Sequence, residues 1–301
     1  MNRVVRLLAG LAIVAGLVAC STSGDSANGG KPKVVAAENF WGSIAAQLGG
    51  DRVDVTSIIT NPNADPHDYE PTTADARDLA SAEFVIVNGI GYDPWVDRLL
   101  AANPVQGREV LNVGHLAGVP DDGNPHQWYS PSTVQLVIDA INADYRKLDP
   151  AHGSYFDRER TRFERQGLGG YHALIASIKK KYAGTPVGAS ESIFALLAPA
   201  LGLNLITPPA FLRAISEGTE PSAADKATID HQIQAGQITV FVYNSQNATP
   251  DVQRQIDEAR ASGIPVTTVT ETLVPEGASF QAWQVRQLRA LAAALARGTG
   301  R

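Results

Sequence analysis

Four side chains able to hold a divalent metal ion stand in similar local settings. His67 lies in "NADPHDYEP" (63–71), between Pro66 and Pro71 and crowded by Asp65, Asp68 and Glu70. Proline fixes its own φ near −65° and keeps the preceding residue out of helical geometry, so this segment is a stiff loop that presents His67 in one direction. His126 lies in "NPHQWYSP" (124–131), again beside a proline. Glu191 sits inside "SES", and Glu271 directly follows "IPVTTVT" (264–270). Imidazole and carboxylate are ligands for a transition ion such as Zn²⁺ or Mn²⁺. Taken singly, each has an ordinary reading. His67 fits a surface turn as well as a ligand, Glu191 fits the start of a helix where a carboxylate is favoured, and Glu271 fits a solvated loop.

What decides between these readings is the set of elements that carries them. Short β-rich runs alternate with amphipathic stretches. Strands are expected at 33–38, 53–59, 83–89 and 108–113, and helices at 40–50, 72–82, 93–102 and 132–148. The second half repeats the scheme, with strands within 185–189 and at 204–206, 238–244 and 264–270. Its helices are expected at 193–203, 222–236, 249–263 and 279–296. This alternation predicts an α/β chain of two lobes, 34–151 and 185–301, each a mostly parallel sheet flanked by helices. Residues 152–184 carry no strand signal and read as one long linking helix. Gly167, Gly169 and Gly170 point to a kink there, since an interior glycine costs ~1 kcal/mol relative to alanine.

Open α/β sheets bind ligands beyond the carboxyl ends of their strands. The run 53–59 leads to His67 and the run 108–113 leads to His126. The run in 185–189 ends at Glu191 and the run 264–270 at Glu271. Two histidines from the first lobe then face two carboxylates from the second. His115, His152, His172 and His231 lack that placement and read as surface or capping residues.

The N-terminal stretch "MNRVVRLLAGLAIVAGLVAC" has Arg3 and Arg6, then an apolar run, Leu7–Ala19, too short to span a bilayer core of ~30 Å. It reads as a signal peptide, residues 1–19. Its end, "LVAC", resembles the lipobox of bacterial lipoproteins, which implies that Cys20 becomes the lipid-bearing first residue. Cys20 is the only cysteine, so no internal disulfide or thiolate metal site forms. Residues 20–33 follow as a flexible tether rich in Ser, Gly and Asn. Two of the 25 basic residues leave with the signal, so 23 bases face 31 acids, a net charge of −8. Such a chain is not expected to bind nucleic acid. It is expected to be exported and tied to the outer face of a membrane.

These motifs resemble the substrate-binding lipoproteins of bacterial zinc/manganese ABC transporters. The resemblance runs from "VVAAENFWGSIAAQLGGD" to the last helix. "NADPHDYEPTTAD" matches the family's first-ligand loop, "NPHQWYSP" the second and "SESIFALLAPALGL" the third. "TVTETLVPEGASF" falls where the family places a carboxylate, and "NGIGYDPWVDRLL" is another recurrent segment. The resemblance implies that His67, His126, Glu191 and Glu271 bind one Zn²⁺ or Mn²⁺, with Fe²⁺ ranking behind them. It further implies two lobes around the metal and a monomer that delivers its ion to a membrane permease with a cytoplasmic ATPase. Two departures stand out. Glu271 replaces the usual aspartate, and the loop "HLAGVPDDG" (115–123) lacks the histidine-rich insertion of many zinc-specific members.

Two rival functions use the same residues. A metal-dependent hydrolase needs an open coordination position and a general base. Four protein ligands leave little room, and Glu38 is the one acid nearby in the pattern, so no enzyme is expected. An adhesin-like lipoprotein with a structural metal is the other.

Overall fold

The computed structural model describes residues 30–62, 69–247 and 249–301. Cys20, His67 and the expected signal peptide lie outside the described residues. Residues 31–301 form one compact unit.

The first half holds β1 (Lys33–Glu38), α1 (Asn39–Gly49), β2 (Asp54–Ile59), α2 (Thr73–Ser81), β3 (Phe84–Val87), α3 (Pro94–Ala102), β4 (Glu109–Asn112), α4 (Val113–Ala117) and α5 (Pro131–Leu148). Next come α6 (Gly153–Arg162) and α7 (Gly169–Tyr182). The second half holds β5 (Pro186–Ala189), α8 (Leu197–Ala200), β6 (Asn204–Leu205), α9 (Pro209–Ser216), α10 (Ala223–Gln234), β7 (Phe241–Asn244), α11 (Pro250–Ala261), β8 (Val266–Val269) and α12 (Phe280–Thr299). The strands form two four-stranded parallel sheets, ordered β2-β1-β3-β4 and β6-β5-β7-β8. The expected α/β class is therefore observed, and both sheets share one topology.

The sequence explains these elements. β3 is buried at every residue, as a parallel strand covered on both faces must be. Thr72 and Asp75 form a reciprocal capping box that starts α2. Ser130 caps α5 ahead of Pro131, and Ser279 caps α12. Gly42 lets α1 approach β2, since a Cβ there would meet the Ser57 hydroxyl at 2.0 Å. The largest apolar core runs through both halves, from Phe40, Trp41 and Trp128 to Phe194, Trp283 and Leu295. Phe40 and Trp128 stack within it at 4.0 Å.

Three local expectations change. Residues 193–203 are not one helix but a 3₁₀ turn (Ser192–Phe194) followed by the single-turn α8. Pro199 would lose the hydrogen bond to Ala195 and clash with its carbonyl in a continuous helix. Residues 209–216, given no element from sequence, form α9, which starts on Pro209 and buries Phe211, Leu212 and Ile215. His115 lies on the short helix α4, where Asn112 caps the His115 N–H at 2.9 Å. Between α6 and α7 the chain makes a π turn, Phe163–Gly167, with Leu168 N–H bonded to the Phe163 carbonyl at 2.9 Å. A Cβ on Gly167 would meet the Phe163 ring at 2.9 Å, so glycine is what lets the wider turn close.

Candidate metal centre

Parallel pairing puts the carboxyl ends of the strands at one edge of each sheet, and residues from the two halves meet in one region. β5 ends at Ala189, after which Ser190 and an extended Glu191 follow. Glu191 precedes the turn at 192–194 but gives it no side-chain cap. Its carboxylate instead accepts from Asn244 Nδ2 at Oε1, 2.7 Å, and from Asn247 Nδ2 at Oε2, 2.8 Å. Glu271 follows β8, and its Oε1 accepts from Asn244 Nδ2 at 2.9 Å while Oε2 accepts from the Tyr92 hydroxyl at 2.6 Å. Neither glutamate is solvated: Glu191 is 1% and Glu271 2% exposed.

His126 arrives from the other half and is wholly buried. Asn124 orients it. The Asn124 Nδ2 donates to the Ser192 carbonyl at 2.8 Å, which leaves Oδ1 as an acceptor facing His126 Nδ1 at 2.8 Å. Nδ1 therefore carries the hydrogen, and Nε2 is the nitrogen with the lone pair that a metal requires. The ring is packed edge-on against Trp128 at 5.2 Å. One ligand atom from each of His126, Glu191 and Glu271 lies within 4.8 Å of the others. Three of the four residues expected from sequence thus meet, and the donor set of imidazole and carboxylates suits a divalent transition ion.

The fourth, His67, lies outside the described residues, but both approaches to its loop are anchored. Pro62 accepts from Gln246 Nε2. Past the loop, the Tyr69 hydroxyl donates to Asp75 Oδ2 at 2.8 Å and its ring lies 5.1 Å from Trp95. Gln246 Oε1 also accepts the backbone N–H of Glu271 at 2.6 Å and of Thr272 at 3.0 Å. One amide therefore ties the root of the first loop to the backbone of Glu271.

The residues that sequence reasoning missed are these amides: Asn124, Asn244, Gln246 and Asn247. The signal available was "YNSQN", a cluster of amides directly beyond a buried strand. Glu38 is not among the three residues that meet. It is wholly buried at the end of β1, and burial together with the neighbouring Asp93 carboxylate raises it well above the ordinary glutamate range. Asp93 itself is pushed up to about 6 by burial, although it accepts the Asn88 and Gly89 N–H groups at 2.7 and 2.8 Å. His115, His172 and His231 are exposed, and His152 faces Asp149 at 2.7 Å. A cavity of about 370 Å³ abuts Asn124, Pro125 and Ser192, yet its lining does not include His126, Glu191 or Glu271.

Comparison with known proteins converges on one group. The family model described as zinc-uptake complex component A, periplasmic, matches residues 34–294. The metal ABC transporter substrate-binding lipoprotein FimA of Streptococcus parasanguinis is 24% identical over 288 residues, covering 89% of this chain and 89% of that protein. The manganese ABC transporter substrate-binding lipoprotein PsaA of Streptococcus anginosus is 23% identical over 297 residues, 92% and 93% of the two chains. Among solved structures, a Mn-bound periplasmic metal binding protein of candidatus Liberibacter asiaticus shares the fold at a TM-score of 0.73 and 22% identity. The match covers 88% of this chain and all of that one.

Proposed function

The chain belongs to the family of periplasmic zinc-uptake component A proteins, and from that premise we propose that it captures one Zn²⁺ or Mn²⁺ outside the cytoplasm and delivers it to an ABC permease for import. The observation that carries this reading is the buried convergence of His126, Glu191 and Glu271 within 4.8 Å. His67 is the fourth ligand. Residues 34–151 and 185–301 act as the two lobes, with 152–184 linking them. The relatives named as manganese ABC transporter substrate-binding lipoproteins support the transport role.

Cys20 carries the lipid anchor that holds the protein, as a monomer, at the outer face of the cell membrane, where the permease and its ATPase are the partners. No helix among the described residues is long and apolar enough to cross a membrane. The protein is a carrier rather than an enzyme. Glu38 is wholly buried and is not among the three residues that meet, and the cavity beside Asn124 is not lined by His126, Glu191 or Glu271.

The test is metal analysis of protein purified without added metal, followed by calorimetric titration of the stripped protein with Zn²⁺ and Mn²⁺. The expected result is one ion per chain, lost in the Glu191→Gln variant. A parent protein that takes up neither ion would sink the proposal.

A further inference from the structure

Asn244 stands at the carboxyl end of β7, wholly buried, and touches both carboxylates of the site. Its Nδ2 donates to Oε1 of Glu191 at 2.7 Å and to Oε1 of Glu271 at 2.9 Å. The amide cannot be turned the other way. Its Oδ1 accepts the Gln246 N–H at 2.9 Å, and a reversed amide would aim an oxygen at two carboxylates. The opposite edges are held too, Glu191 Oε2 by Asn247 and Glu271 Oε2 by Tyr92. One NH₂ group thus assigns a hydrogen to each carboxylate, while a second donor fixes the far oxygen of each.

The geometry points to Asn244 as the residue that sets the site's preference between ions, an inference that rests on the metal-binding reading above. A carboxylate can give a cation one oxygen or two. Moving from one to two turns the carboxyl plane, and here that turn breaks hydrogen bonds at both of its edges. Asn244 therefore keeps Glu191 and Glu271 as one-oxygen donors and holds the coordination number down. Few ligands suit Zn²⁺, which is commonly four-coordinate. Mn²⁺ favours six oxygen-rich positions. Asn244 is a positioning residue: it acts through the two glutamates rather than on the ion.

The test compares the parent with Asn244→Ala and Asn244→Ser, which both remove the two amide hydrogens, the serine keeping a small polar group in the buried site. Competition titrations give the ratio of Zn²⁺ to Mn²⁺ affinity, and the visible spectrum of the Co²⁺-loaded protein reports coordination number. In Asn244→Ala the ratio is expected to move toward Mn²⁺ by about tenfold, the scale at which groups behind the ligands act. The Co²⁺ bands weaken as coordination number rises, and Asn244→Ser shifts both readouts in the same direction. Equal losses for the two ions with an unchanged Co²⁺ spectrum overturn the assignment and leave Asn244 a brace. Melting of the metal-free variants checks folding, and if Asn244→Ala does not fold, the Asn244→Ser ratio decides alone. A parent that binds neither ion refutes the metal-binding reading itself. A parent that binds both, with variants of unchanged ratio, refutes only the role of Asn244.

Discussion

The Tyr92 hydroxyl reaches Oε2 of Glu271 at 2.6 Å, joining two residues 179 positions apart. Tyr92 follows three successive left-handed residues, Gly89, Ile90 and Gly91, with φ of 71°, 57° and 69°. A β-branched residue rarely adopts that conformation, and it persists only where the surroundings fix it. Asp93 does so from one side by binding the Asn88 and Gly89 N–H groups. Gly114 leaves the room that the Ile90 side chain needs, because a Cβ there would meet Ile90 Cγ1 at 2.5 Å. The first half thus holds a strained turn in place to offer one hydroxyl to a carboxylate of the second.

Tyr92→Phe removes that hydroxyl while keeping the ring. Metal affinity is expected to fall by ~10–100-fold, with faster release, because Glu271 loses the donor that orients it. Stopped-flow transfer of the ion to a chelator measures the release rate. A rate equal to the parent's would mean that the bond to Glu271 does not orient the ligand.

Glu271→Gln separates charge from shape. The new amide can donate to the Tyr92 oxygen while its carbonyl still accepts from Asn244, so the metal-free protein should melt close to the parent. Affinity should fall sharply, since an anionic oxygen is gone. Glu271→Asp restores the charge on a shorter arm and should recover part of it. Calorimetry on both variants tests the order. A Glu271→Gln protein that binds like the parent removes Glu271 from the ligand set.

His126→Ala should abolish measurable binding, a loss beyond the ~10–100-fold attached to outer hydrogen bonds. It should also lower the melting temperature of the metal-free protein. His126 is wholly buried and its ring serves Asn124 Oδ1, so its removal leaves a void and takes one donor from that oxygen. His67→Ala should cost affinity in the same way. The measurement is thermal unfolding with and without Zn²⁺, and a retained metal-induced shift in His126→Ala would exclude His126 as a ligand.

Glu38 and Asp93 give stability a pH dependence of definite sign. Both are raised above their ordinary values, Asp93 to about 6, so the folded chain holds protons that the unfolded chain has released. Stability from this pair is therefore greatest in acid and is lost as pH rises from the ordinary carboxylate range through the folded values. Glu38→Gln has no proton to lose there and nearly keeps the shape of the side chain. The metal-free variant should be more stable than the parent at pH 8, with the gap closing toward pH 4. A gap that stays constant across that range would show that Glu38 does not hold a proton.

Cys20→Ser should move the protein from the membrane to the soluble extracytoplasmic fraction. Fractionation of cells producing each form tests it, and a variant that remains with the membrane after a high-salt wash contradicts lipid anchoring through Cys20.

Much of this organisation is readable in the chain because it rests on local rules. Strand ends before Glu191 and Glu271 are marked by β-rich runs followed by polar residues, and parallel topology then brings those ends together. His126 is legible as a candidate, but its burial is not, since besides its chain neighbour Trp128 the ring is packed against Tyr92 from a separate segment. The amides are harder still. Asn244 reads as a polar strand end, and its two bonds exist only because Glu191 and Glu271 arrive from 53 and 27 residues away. Helix α9 was open to view in "PPAFLRAIS", a proline start with apolar residues three and four apart. The expected helix at 193–203 overweighted that same apolar spacing against Pro199.

Glu271 follows β8, the last strand of the second sheet, and this placement has a consequence for the growing polypeptide. A nascent chain that stops short of β8 owns one imidazole and one carboxylate of the described trio, with no Glu271 for Tyr92 to meet. Bringing together residues so far apart in the chain also costs loop-closure entropy. Ion capture by all three described residues therefore belongs to the completed molecule, and a chain that ends before Glu271 carries only His126 and Glu191 of the trio.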